Sequence, residues 1–110
     1  MYYENNGYYL FYVYIITNKY RSALYIGMTD NLPRRLKEHR ENIDNGTKTF
    51  ASRYNIQFLV YYEKYTWVQN AIVREKQLKK WNRYKKFELI RQFNPEFKFL
   101  NDSFQSYDEQ

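Results

Sequence analysis

Residues 8–17, YYLFYVYIIT, are apolar or aromatic up to the closing threonine, and no other stretch constrains the fold of this chain as strongly. A strand exposed on one face alternates apolar and polar residues. A strand with both faces largely covered instead reads as an unbroken run of β-branched and aromatic side chains. The run therefore predicts a buried strand, and neither it nor any other apolar stretch approaches the roughly 20 residues of a membrane helix.

The rest of the chain supplies partners for that strand. A polar interval, residues 18–22, separates it from a short strand over 23–27, an expected antiparallel hairpin. Pairing Tyr14 with Tyr25 leaves a four-residue loop over 18–21, and any register in which paired residue numbers sum to an odd value sets both tyrosines on one face. Thr29, Asp30 and Asn31 are N-cap candidates and Pro33 suits a first helical turn, so a helix is expected over 31–44. Residues 45–52, NGTKTFAS, read as a turn, 56–63 as a third strand, and 67–81 and 84–92 as helices, the last ending at Asn94-Pro95.

The expected fold is α/β, a small three-stranded and mostly antiparallel sheet flanked by helices in the order β-β-α-β-α-α. With 110 residues there is room for one core. It is expected over 8–100, after a frayed lead-in at 1–7 and before an acidic, aperiodic tail at 101–110 that reads as disordered. There is no cysteine, which excludes a disulfide framework and a thiolate zinc site and fits a reducing, cytoplasmic setting. No secretory signal is present at the start, and no membrane partner is expected.

Polar side chains fall on the wrong faces of two helices. On the first, Leu32, Leu36 and Ile43 form the apolar side, and at about 100° per residue Arg35 and His39 lie on that same side while Arg34 points to solvent. On the second, Val68, Ala71, Ile72 and Leu78 form a stripe with Glu75 in its middle. Inward charges must be paired or line a cavity. A snorkelling arginine, a satisfied core histidine and a Glu75–Arg35 salt bridge would explain them structurally, but a cleft for an anion and a metal explains both helices together. Such a set could cleave phosphodiesters: Arg35 on the phosphate, a divalent ion on Glu75, and a tyrosine as base. A free tyrosine has a pKa near 10, so ionising it at pH 7 costs roughly 4 kcal/mol. Arg35 and the ion would offset that, with His39 accepting the phenol proton. A single carboxylate suits Mg2+, which keeps most of its waters.

Tyr12-Val13-Tyr14, then Tyr25-Ile26-Gly27, Asn31-Leu32, Arg35-Leu36 and His39 together resemble the signature of the GIY-YIG nuclease superfamily. Ala71-Ile72, Arg74-Glu75, the run from Leu78 to Trp81, Leu89-Ile90 and Asn94-Pro95 are similar to its small stand-alone bacterial branch. The resemblance spans residues 8–100. It implies a metal-dependent DNA endonuclease using Mg2+ or Mn2+, in which Tyr14, Tyr25, Arg35, His39 and Glu75 are catalytic and Glu75 holds the metal. One of the two tyrosines would activate water, Arg35 would contact the scissile phosphate, His39 would hydrogen-bond a tyrosine, and Gly27 would permit close backbone approach. The chain departs from the pattern in three places. Tyr12 replaces the first glycine, and Met28 stands where the repair-enzyme branch has lysine. Phe87 stands where the active-site asparagine is usual, leaving Asn82 and Asn94 as substitutes.

The charge balance, 18 Lys and Arg against 12 Asp and Glu, favours a polyanionic partner. Arg74, Lys76, Lys79, Lys80, Arg83, Lys85, Lys86 and Arg91 form a candidate DNA-contacting surface, with solvated helix charge as the plain alternative. RNA stays open as a substrate, and so does a partner protein that selects the target. A catalytically silent nucleic-acid-binding module and a basic protein-interaction domain are the competing functions.

Overall fold

In a computed structural model the structure describes residues 10–103. The apolar run becomes β1, Phe11–Thr17, the middle strand of a three-stranded sheet in the order β2-β1-β3, with β2 at Leu24–Thr29 and β3 at Phe58–Tyr65. Both pairings are antiparallel. A central strand with helices on both sides has no solvent face, which is why the sequence shows no alternation. On one face Tyr14 and Ile16 pack with Leu32, Leu36, Ala51 and Leu59; on the other, Val13 and Ile15 pack with Val60, Ala71, Leu78 and Ile90. β3 bulges where Ile15 opposes Tyr61 and the next pair is Ile16 with Leu59, which leaves Val60 unmatched and adds it to the second face.

The β1–β2 hairpin keeps the odd register but shifts it by two residues, setting Tyr14 opposite Gly27 and Tyr25 opposite Ile16. The connecting loop is correspondingly wider, residues 18–23. Its cause is local: Asn18 Oδ1 accepts the backbone N–H of Ser22 (2.8 Å) and of Ala23 (3.1 Å), while the Thr17 hydroxyl donates to the Ala23 carbonyl (2.7 Å). Arg21 takes a left-handed conformation, φ 57°, to close it. A four-residue loop would forfeit these side-chain bonds, and β2 therefore starts one residue and ends two residues later than the pattern suggested.

Helix α1, Leu32–Asp44, starts where its cap predicts, since Asn31 Oδ1 accepts the Arg34 N–H at 3.1 Å and Pro33 lies in the first turn. The segment read as a plain turn contains a short helix α2, Phe50–Arg53, capped by Thr49 Oγ1 on the Ser52 N–H (3.1 Å). Its exit, with Asn55 at φ 57° and the Ile56 N–H bonded back to the Ala51 carbonyl at 2.8 Å, delays β3 by two residues. Helices α3, Val68–Lys80, and α4, Arg83–Phe93, cover the second face of the sheet.

The folded chain extends past residue 100. The Leu100 N–H reaches the Leu59 carbonyl at 2.8 Å, and the Asn101 side chain accepts from the Leu59 N–H (2.8 Å) and donates to the Gln57 carbonyl (3.1 Å). Asn101 thus sutures the open edge of β3 and does not belong to a loose tail. The expected lead-in at 1–7, and the tail from 104 on, lie outside the described residues.

Candidate active site

The first face of the sheet assembles four of the five predicted catalytic side chains. Tyr14 projects from the central strand at 1% exposure, and its hydroxyl lies 2.9 Å from His39 Nε2, itself 4% exposed on α1. The Tyr25 ring, two pairs along the same face from Tyr14, meets the His39 ring edge-on, with centroids 5.3 Å apart at 68°. Arg35, one turn before His39, is held by Glu38 at 3.1 Å and lies close enough to both tyrosines to interact electrostatically with them. Tyr25, Arg35 and His39 share a pocket of about 90 Å3 with Asn42, Thr49 and Phe50.

Gly27 sits beneath this cluster for a steric reason. A Cβ there would come within 2.5 Å of the Tyr14 hydroxyl oxygen and 2.6 Å of Cζ, so the phenol crosses the neighbouring strand only where there is no side chain.

Burial sets the protonation states. It pushes the Tyr14 phenol above the ordinary tyrosine range; the Arg35 charge opposes the rise, and the Tyr25 and Glu75 charges add to it. Burial, helped by the Arg35 charge, lowers His39 to about 4, so the imidazole is neutral at physiological pH and can accept a proton. Burial also works against the Arg35 cation, but Tyr14, Glu38 and Tyr25 more than compensate and it stays charged.

Glu75 comes from a different helix, α3. Its helix packs on the second face, so α1 and α3 do not share an interior as the two apolar stripes suggested; the sheet lies between them. Its helix α3 also packs on edge strand β2, the strand that the Tyr14 phenol crosses at Gly27, and the Glu75 charge reaches that phenol. Its ion-pair partner is Lys79 at 3.2 Å, one helical turn on, and no Glu75–Arg35 bridge exists.

The two substitute asparagines are committed to structure. Asn82 lies beyond the end of α3 and caps α4, its Oδ1 accepting the Lys85 N–H at 2.8 Å. Asn94 is buried and fully bonded: its amide donates to the carbonyls of Val60 (3.1 Å) and Lys98 (2.8 Å), and its oxygen accepts from the Lys98 N–H (3.1 Å). Phe87, where the resemblance led us to expect an asparagine, stacks on Phe97 with centroids 5.5 Å apart.

Arg74, grouped in sequence with the surface cations, is half-buried and committed to partners within the protein. Its guanidinium forks onto both carboxylate oxygens of Glu63 at 3.0–3.2 Å, donates to Gln77 (2.7 Å) and lies 5.2 Å from the Trp81 ring centre. Tyr61 and Tyr65 also donate to Glu63. Burial would raise the Glu63 pKa, but Arg74 and the two phenols outweigh it and hold the carboxyl below its usual range. Lys76, Lys79, Lys80, Arg83 and Lys85 are exposed, and Lys86 is half-buried.

The model of the GIY-YIG catalytic domain family matches residues 10–88. The chain belongs to the GIY-YIG family. A UPF0213 protein of Syntrophus aciditrophicus (strain SB) is 39% identical over 85 residues, which cover 77% of this chain and 93% of that one. The solution NMR structure of the UPF0213 protein BH0048 from Bacillus halodurans is 30% identical, with a TM-score of 0.46, covering 74% of this chain and 82% of that one. Among the described residues no helix is long and apolar enough to cross a membrane.

For a GIY-YIG chain the donor set around Glu75 is informative. Among the described residues there is no group of three or more His, Cys, Asp and Glu side chains placed to hold a metal. A single carboxylate such as that of Glu75 suits a hard divalent ion that takes its other ligands from water and substrate oxygens.

The sequence did not mark Glu38 or Phe50. Glu38 was findable, three residues after Arg35 on the same helix. Phe50 was not, because its helix was read as a turn.

Proposed function

We propose that this GIY-YIG protein is a metal-dependent endonuclease that hydrolyses phosphodiester bonds in DNA. The observation that carries the reading is the Tyr14–His39 hydrogen bond at 2.9 Å, buried beside Arg35 and opening through Tyr25 into a small pocket. A core that needed only packing would not place two phenols, an imidazole and a guanidinium together against a cavity.

In this reading Arg35 receives the scissile phosphate, its aim fixed by Glu38. Tyr25, which lines the pocket, takes the proton from the attacking water as a phenolate, its own proton having passed to solvent and its negative charge being balanced by Arg35. Tyr14 is sealed away and its phenol is hard to ionise, so it acts as a positioning residue, fixing the orientation of the neutral His39 against the Tyr25 ring. Glu75 would hold Mg2+ or Mn2+, which when bound neutralises charge on the phosphoryl and leaving oxygens. Lys79, now paired with Glu75, would release it to the ion.

The deciding experiment compares wild type and Glu75→Gln on labelled DNA in Mg2+ or Mn2+. The substitution should abolish cleavage and leave DNA binding nearly unchanged, since a metal ligand is removed and every phosphate-binding side chain is kept. Cleavage at the wild-type rate removes Glu75 from the mechanism. Absence of cleavage by both, with binding retained, favours the silent binding module, a reading to which Phe87 in the asparagine position lends support.

A further inference from the structure

Phe50 is 54% exposed on the surface. Single exposed aromatics are ordinary. This ring borders two hollows at once: the pocket of Tyr25, Arg35 and His39, and a neighbouring one of about 220 Å3 walled by Ser22, Leu24, Arg83 and Lys86. Each hollow holds cationic side chains, and the cations are pre-set. Arg35 is tethered by Glu38, and Arg83 by the Ser22 carbonyl and by its position 4.9 Å from the Phe87 ring centre. Phe50 is itself backed by Tyr54, with centroids 5.0 Å apart and planes tilted 52°.

We infer that Phe50 is a stacking platform for an unpaired nucleobase next to the bond held at Arg35, so that the substrate is single-stranded at the cleaved position. The inference rests on the nucleolytic reading above. A single strand presents phosphate, base and phosphate in succession, and an aromatic ring flanked by cations is complementary to that alternation. In continuous duplex both faces of each base are covered by neighbours, and the ring would have nothing to stack on without unstacking a step. Arg83 and Lys86 then take the phosphate beyond the stacked base. The strand would pass from the Arg35 pocket, over Phe50, to the start of α4.

The test is equilibrium binding in EDTA, where no cleavage occurs, to a fluorescent twelve-residue oligothymidylate and to an abasic chain of the same length and charge. Phe50→Leu should weaken binding of the oligothymidylate by about five- to a hundred-fold, the loss typical of one base–aromatic stack, and leave the abasic chain unaffected. Phe50→Trp should bind the oligothymidylate at least as tightly as wild type. An equal effect of Phe50→Leu on both chains, no effect on either, or a wild type that does not prefer the chain with bases overturns the inference. These outcomes are separable from the fate of the enzyme reading. If base-dependent binding through Phe50 is seen but no cleavage in Mg2+ or Mn2+, the nuclease proposal falls and the platform stands. If a duplex is cut as fast as its unpaired counterpart and Phe50→Leu alters neither rate, the platform falls and the nuclease stands.

Discussion

Gly27→Ala offers the sharpest test of how the site is built, because it adds one methyl group and touches no charge. The added carbon would sit 2.5–2.6 Å from the Tyr14 hydroxyl oxygen and Cζ, about 1 Å inside van der Waals contact. A flexible surface side chain would swing away at little cost. Tyr14 cannot, being walled in by Ile16, Leu32 and Leu36 and tied to His39. Overpacking a core by one carbon costs about 1–3 kcal/mol. Breaking the Tyr14–His39 bond in a buried setting costs about 1–3 kcal/mol more. Replacing glycine in a strand returns about 0.5–1 kcal/mol. The net expectation is a loss of about 1–5 kcal/mol, or roughly 5–25 °C in the thermal midpoint of a domain of this size. Urea unfolding of Gly27→Ala, Tyr14→Val and the double variant measures it. With the phenol gone, the alanine should cost nothing, a coupling of about 1 kcal/mol or more. If Gly27→Ala costs the same in both backgrounds, to within about 0.5 kcal/mol, the close approach of Tyr14 is not the reason for glycine there.

Three further outcomes follow from the same geometry. Tyr25→Phe should reduce kcat by at least a hundred-fold at unchanged DNA affinity, as expected for a lost general base, whereas Tyr14→Phe should lower kcat less and also lower stability; the reverse order of kcat losses would exchange the two roles. His39 is depressed from about 6.5 when unfolded to about 4 when folded. Its contribution to stability is therefore complete above about pH 6.5 and is lost as pH falls toward 4, by at most about 3 kcal/mol. Urea midpoints at pH 7.5 and 4.5 should differ more for wild type than for His39→Phe, and equal differences would contradict the depressed value. Arg74→Ala should destabilise the fold by about 1–3 kcal/mol through the orphaned Glu63, yet leave the slope of log affinity against log salt unchanged. Charge reversal at Lys79, Lys80 and Lys86 should flatten that slope by about 0.7–0.9 for each phosphate no longer neutralised, and a flattened slope for Arg74→Ala would return that residue to the DNA surface.

The sequence by itself determined the order of the three strands and the three longer helices, the buried central strand and the starts of those helices, because periodicity, caps and the proline stop are local properties of a few consecutive residues. It also determined that Arg35 and His39 share the buried side of their helix, since helical spacing alone puts residues four apart on one face. Even the facing of Tyr14 and Tyr25 was legible, as a parity that survived a two-residue error in register. Tertiary structure decided the rest. The Asn18 side chain widened the hairpin loop and moved Gly27 under Tyr14. The apolar stripes of α1 and α3 pack on opposite faces of the sheet and not on each other, because a wheel shows which side of a helix is buried and not against what. The fates of Arg74, Asn82 and Asn94 turned on partners up to 34 residues away, Glu63 and Val60 among them, or on where one helix gave way to the next. Phe50 gained its position between two cationic hollows only when α2, α4 and the hairpin came together. Which charges are free and which are spent depends on how the elements meet, and no periodicity along the chain records that.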